Sequence, residues 1–172
     1  MQRIIIYFSK NGENIVNKEI KDLTIGNTKV VAKTIRQLVD SDILEIKLQE
    51  PYSHNYCACS KQASEDLRKK KDLQLVEVTK DLTKYDVVYL GYPNYCNGLP
   101  RPVTVFLKQT DLSNKIIKPF CTHEGDELGK SIQEIQKLCP NTKILSGLAI
   151  QGIEIYAIEV VKKKLNNWIN KF

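Results

Sequence analysis

The chain has 172 residues, 42% of them hydrophobic, enough for one well-filled core, because a domain of this length hides roughly 70% of the surface its extended chain would expose. Its 26 Lys and Arg against 20 Asp and Glu leave a formal charge of +6, but the excess sits in short runs without interleaved aromatic residues, Lys69-Lys70-Lys71 and Lys162-Lys163-Lys164. That pattern suits a solvated basic face and not a nucleic-acid site, and no apolar run approaches the roughly 18 residues of a bilayer span, so neither nucleic acid nor membrane is expected as a partner.

Ile4-Ile5-Ile6-Tyr7-Phe8 is continuous and β-branched, as in a central strand covered on both faces by helices. Val31, Ile35 and Leu38 recur at helical spacing and predict a helix beginning near Asn27-Thr28. Ile43 to Lys47 reads as a second strand, Cys57 to Lys71 as an exposed helix, and Leu73 to Val78 as a short strand at most. Tyr85 to Gly91 is a third doubly covered strand, ending at a Gly-Tyr-Pro turn, and Val103, Phe106 and Leu107 mark the next helix, with Pro102 in its first turn. Lys115 to Cys121 predicts a fourth strand. Leu128, Ile132, Ile135 and Cys139 predict a helix stopped by Pro140-Asn141, and Lys143 to Ile150 predicts a fifth strand. A last helix from about Glu154 carries Ile158, Val161, Leu165, Trp168 and Phe172 on one stripe, where Trp168 reads as core.

Five strand–helix alternations imply right-handed crossovers and an α/β three-layer sandwich, a parallel sheet with helices on both faces. No linker or repeat divides residues 1–172, so one domain is expected. Met1-Gln2-Arg3 runs straight into strand with no small-residue cleavage site, and Cys57 and Cys59 are too close for an easy disulfide, so a cytoplasmic protein with reduced thiols is expected.

Doubly wound sheets bind ligands outside the carboxyl ends of their strands, which directs attention to three loops. The first holds Ser9-Lys10-Asn11-Gly12 and reaches the helix opening Gly26-Asn27-Thr28. Hydroxyls, amides and a helix N-terminus there suit a phosphomonoester, although Gly26-Asn27-Thr28 also reads simply as a helix cap. The second, Tyr92 to Pro100, offers two tyrosines on a glycine- and proline-shaped turn; a flat heteroaromatic ring would cover them, or they pack down on the sheet rim. The third, Thr122-His123-Glu124-Gly125-Asp126-Glu127-Leu128-Gly129, presents amides and a histidine to a ligand edge, or holds His123 against backbone and solvent. His54 and His123 lack metal-site spacing, and Cys57 with Cys59 supplies only two ligands, so no metal is expected, with a thiol redox role for that pair as a minor alternative.

Tyr7-Phe8-Ser9 with Gly26-Asn27-Thr28, Gly91-Tyr92-Pro93-Asn94-Tyr95 with Leu99-Pro100, and Pro119-Phe120-Cys121-Thr122-His123-Glu124-Gly125 resemble, in that order, the cofactor loops of flavodoxin-like proteins. The resemblance spans nearly the whole chain and implies a five-stranded sheet in the order 2-1-3-4-5 that holds FMN non-covalently. By position it implies that Ser9, Asn11, Asn27 and Thr28 bind phosphate, that Tyr95 stacks on the flavin, that Pro93, Asn94, Cys96 and Asn97 line its edge, and that Thr122, His123, Glu124 and Gly125 contribute from the third loop. It implies no catalytic residue, because the cofactor carries the redox chemistry. Glu13 to Ile25 is inserted between the two halves of the phosphate loop. Function is then expected to be electron transfer between a reductase and an acceptor protein, the alternative being an NAD(P)H-dependent FMN oxidoreductase of quinone reductase type, and a further alternative a module of this fold without cofactor. Gly98 would let the Asn97–Gly98 peptide rotate to offer a carbonyl to a protonated flavin N5.

Overall fold

The structure, a computed structural model, describes residues 1–171; Phe172, expected on the stripe of the last helix, lies outside them. A parallel sheet is built from β1 (Arg3–Phe8), β4 (Asp42–Ile46), β5 (Val87–Pro93), β6 (Ile116–His123) and a fifth strand in two pieces, β7 (Lys143–Ile144) and β8 (Leu148–Gln151). The spatial order is β4-β1-β5-β6 and then β7 with β8, the order 2-1-3-4-5 of main strands. Four helices cross between strands, α1 (Asn27–Leu38), α2 (Tyr56–Arg68), α3 (Arg101–Gln109) and α4 (Ser131–Leu138), and α5 (Ile158–Ile169) follows the last strand.

The uninterrupted apolar runs are explained by two cores, one on each face. Side chains alternate across a strand, so Ile4, Ile6 and Phe8 of β1 join Val88, Leu90 and Tyr92 of β5 under α3 and α4, with Val103, Phe106 and Ile135. Ile5 and Tyr7 join Val87, Tyr89 and Phe120 on the other side, against Val31 and Ile35 of α1 and Val161, Leu165 and Trp168 of α5. A strand buried on both faces has no polar face to alternate with.

Several expected boundaries move for physical reasons. The fifth strand breaks at 145–147, where the Ser146 carbonyl leaves the ladder to accept the indole N–H of Trp168 at 2.7 Å. A 3-10 turn, Gly152–Tyr156, precedes α5, opened by a reciprocal cap in which Glu154 accepts the Gln151 N–H at 2.9 Å, so the α-helix begins only at Ile158. Leu73 to Val78 contributes a single bridge, Leu75 to Leu48, in place of a strand. The inserted segment folds as an antiparallel hairpin, β2 (Gly12–Val16) with β3 (Glu19–Leu23), closed by Asn17 and Lys18 at φ 52° and 67°, the conformation of a two-residue turn that follows strand twist. No helix among the described residues is long and apolar enough to cross a membrane.

Candidate functional site

The carboxyl ends of β1, β5 and β6 bring the three loops to one rim, around a cavity of about 280 Å³. Of the residues expected there, Ser9, Asn27, Thr28 and His123 line it together with Pro93, Asn94, Tyr95, Cys96, Thr122 and Glu124. Asn11, Asn97 and Gly125 do not; each has another place, described below.

The phosphate-loop halves meet because the hairpin leaves and returns at one point, Gly12 pairing with Leu23. Gly26 then lies directly on the outgoing chain: a Cβ there would sit 2.3 Å from Lys10 O and 2.4 Å from Ser9 Oγ. Ser9 Oγ accepts the Lys29 N–H at 3.1 Å in place of a Gly26 side-chain cap, and Asn27 and Thr28 of that first turn line the cavity at the positive end of the helix dipole. Lys10 Nζ donates to the carbonyls of Asn11, Glu13 and His54 at 2.9, 2.9 and 3.3 Å, so this ammonium holds the loop shape. Asn11 itself is exposed and turns to a smaller, polar depression shared with Thr24, Lys29 and Lys47.

In the second loop the two tyrosines part company. Tyr92 is fully buried and donates to Ser131 Oγ at 2.8 Å, a core role. Tyr95 remains on the cavity wall, its ring edge-on to Phe8 at 6.4 Å, and burial raises its phenol pKa well above the ordinary value. A tight turn follows, with Tyr95 and Gly98 exchanging both backbone hydrogen bonds at 3.1 Å across Cys96 and Asn97, whose φ values are 51° and 64°. The Asn97 carbonyl accepts the Lys130 N–H at 2.9 Å, which turns that peptide toward α4 and away from the cavity. A Cβ at Gly98 would lie 2.6 Å from the end of the flexible Glu134 side chain, whose carboxylate accepts the Leu99 N–H at 2.7 Å.

The third loop is tied to the other two. Thr122 and Thr28 share a buried hydroxyl–hydroxyl bond of 2.7 Å, and the Thr122 carbonyl accepts the Asn94 N–H at 2.8 Å. Gly125, exposed and off the cavity, donates its N–H to His123 Nδ1 at 3.1 Å; with Nδ1 accepting, the neutral ring carries its proton on Nε2. Glu124 Oε2 accepts the Asn17 N–H at 2.8 Å, linking this loop to the hairpin tip. The Cys121 thiol donates to the Glu127 carbonyl at 3.0 Å, and burial pushes its pKa up to about 12, so it stays protonated.

Two walls went unread in the sequence. The hairpin supplies Glu13, Asn14 and Ile15, and α2 supplies Tyr56, Cys59, Ser60, Ala63 and Ser64, a helical i, i+3, i+4, i+7, i+8 set. The available signal was small side chains at that spacing on an otherwise charged helix. Cys57 and Cys59 are split by the same geometry, the first exposed and the second buried on the cavity, where burial raises its thiol pKa. Among the described residues no three His, Cys, Asp or Glu gather as a metal site.

The donor set fits a flavin mononucleotide. One end offers the N-terminal turn of α1, Ser9 and Asn27 to an anion, while the walls between carry Tyr95, Cys59 and Ala63 for a flat ring. Asn94 also lines this cavity, its Nδ2 donating to the Glu127 carbonyl at 2.8 Å.

The α/β fold and its loop-built cavity define the doubly wound, ligand-binding class. A family model described as Flavodoxin matches residues 22–172, and the chain belongs to the flavodoxin family. No curated protein matches its sequence. Among solved structures, a protein described as a flavoprotein from Bacteroides uniformis superposes with a TM-score of 0.72 at 23% identity, covering 96% of this chain and 97% of that one. A flavoprotein in complex with FMN from Lactobacillus acidophilus gives 0.64 at 20% identity, over 91% and 97% of the two chains. Oxidised Flavodoxin 2 from Bacillus cereus gives 0.54 at 15% identity over the full length of both. At these identities the likeness speaks for the fold.

Proposed function

We propose that the chain binds FMN and transfers electrons between a reductase and an acceptor protein. The observation that carries this is the convergence on one cavity of the first turn of α1, a tyrosine-bearing turn and the third loop. When bound, FMN supplies one- and two-electron transfer through its ring. The protein's part is binding and tuning. Ser9 and Asn27, with the first amides of α1, hold the phosphate; Thr28 keeps the first and third loops together. Tyr95 covers one face of the ring, and the small side chains of α2, with Cys59 against the Tyr95 phenol, line the same cavity. His123, its proton on Nε2, offers a donor at the third loop. The net charge of +6 favours partners with an acidic docking face.

The test is anaerobic titration of the purified protein with dithionite, followed near about 450 nm where oxidised flavin absorbs. Bleaching of stoichiometric FMN, with little direct reduction by NADPH, is the expected result. Rapid bleaching by NADPH alone would make the protein an NAD(P)H-dependent reductase instead, and a colourless protein that ignores added FMN would overturn the cofactor reading.

A further inference from the structure

The hairpin has one free edge. Among the described residues β2 and β3 pair only with each other, and the far edge of β2 is engaged, its Glu13 N–H donating to the His54 carbonyl at 2.9 Å. Val16 and Glu19 flank a two-residue turn and so form the first hydrogen-bonded pair of the ladder, with Asn14 and Lys21 the next. Ile20 and Asp22 therefore turn their N–H and C=O groups outward, where they meet no backbone partner among the described residues. Ile20, at the middle of this edge, is 53% exposed, large and apolar. Around it run Lys18-Glu19 and Lys21-Asp22. Charge on an edge strand usually keeps other strands away. Here it reads plus, minus, apolar, plus, minus, a series that becomes its own complement when reversed.

We propose that β3 pairs antiparallel with β3 of a second copy of this chain, about a two-fold axis between the two Ile20 residues. Three symmetric registers use the outward groups. Setting Ile20 opposite the partner's Asp22 brings Lys21 against the partner's Lys21, and setting Asp22 opposite the partner's Asp22 brings two carboxylates together. Like charges directly opposite are destabilising, so both registers are disfavoured. With Ile20 opposite the partner's Ile20, Glu19 meets the partner's Lys21 and Lys18 meets the partner's Asp22, and symmetry repeats both. Four pairs of opposite charge then flank one apolar pair. The Asp22 carboxylate is open to such a contact: it pairs with His54 at 3.1 Å while its side chain stays 65% exposed. Ile20 also lies across from Ile15, which lines the cavity. Pairing therefore continues one apolar row across a four-stranded sheet, with a cavity at each end. The contact is short, so the dimer is weak and salt-sensitive.

Sedimentation equilibrium of the full chain from about 10 to about 500 μM is expected to show monomer passing to dimer, the association weakening several-fold between about 50 and about 500 mM NaCl. Amide exchange of 15N-labelled protein locates the contact: the Ile20 and Asp22 N–H groups exchange fast in dilute protein and slow down as the dimer forms. Glu19→Lys alone and Lys21→Glu alone each set like charges across the axis and weaken dimerisation about tenfold or more. An equal mixture of these two variants dimerises as well as wild type, because each strand then meets its complement. Ile20→Pro removes an outward N–H and no bond of the hairpin, so it abolishes the dimer, while far-ultraviolet circular dichroism checks that the fold is kept. Protein that stays monomeric over the whole range overturns the proposal. So does a dimer indifferent to Ile20→Pro and to charge reversal, which lies elsewhere on the surface, and so does a mixture of the two charge variants that stays monomeric. A monomer whose β3 amides are protected by an added extended peptide of unrelated sequence gives the edge to another occupant and likewise overturns it.

Discussion

The hydroxyls of Thr28, in the first turn of α1, and Thr122, near the end of β6, lie 2.7 Å apart and buried, joining loops 94 residues apart in the chain. Removing one partner leaves the other hydroxyl dry. Thr28→Val or Thr122→Val alone is expected to destabilise the fold by about 1–3 kcal/mol, whereas the double variant, apolar on both sides, returns to within about 1 kcal/mol of wild type. Urea unfolding of the four proteins measures this, and additive losses in the double variant would count against a direct bond.

Gly26 lies so close to Lys10 O and Ser9 Oγ that any side chain must push the two halves of the phosphate loop apart. Gly26→Ala is therefore expected to weaken FMN binding about tenfold or more while leaving riboflavin, which lacks the phosphate, little changed. Parallel titrations of FMN and riboflavin read the ratio. If both affinities fall together, the loop shapes the ring site and not the phosphate site.

Glu13 is the strap between hairpin and α2. Its Oε2 accepts the Asn55 Nδ2–H and the Tyr56 N–H, each at 2.8 Å, and so serves the start of α2 as well as the cavity wall. Glu13→Ala is expected to cost about 1 kcal/mol and to speed FMN dissociation several-fold, because the wall loses its anchor while the phosphate loop is untouched. Stopped-flow dissociation into excess apoprotein of another flavoprotein gives the rate, and an unchanged rate would separate the hairpin from cofactor retention.

The parallel sheet and its two cores were legible because β5 and Ile4 to Phe8 of β1 are apolar without a break, a pattern that suits a doubly covered strand, and because α1 repeats Val31, Ile35 and Leu38 at the spacing of one face; the strand order came from the family resemblance. The hairpin was not. Its turn is Asn17-Lys18, without the glycine that usually marks a two-residue turn, and its strands are mostly polar because one hairpin face meets solvent. At the site, the residues at strand ends could be placed from topology alone, but Asn97 and Gly125 could not. Both sit in turns where neighbouring residues point opposite ways, and Lys130 and His123, which hold them, were invisible until the loops closed. The wall from α2 needed the helix's position against β2 and α3, a tertiary fact.

Asp42 begins β4 and accepts a hydrogen bond from the buried Tyr85 hydroxyl, with Lys80 at 3.4 Å. The Tyr85 bond is the largest cause holding its carboxyl pKa below the ordinary 3.8, the nearby lysines adding to it. A folded pKa below the unfolded one means that the unfolded chain binds the proton first as pH falls. The stabilisation is therefore fully present above 3.8 and is lost as pH drops through the lower folded value. Asp42→Asn keeps the shape and removes the titration, so its melting temperature should fall below that of wild type at pH 7, with the gap narrowing as the pH is lowered below 3.8. Calorimetric melting from pH 7 to strongly acid solution decides it. A gap that stays constant throughout would mean that the carboxylate charge contributes nothing and that Asn serves Tyr85 less well for geometric reasons alone.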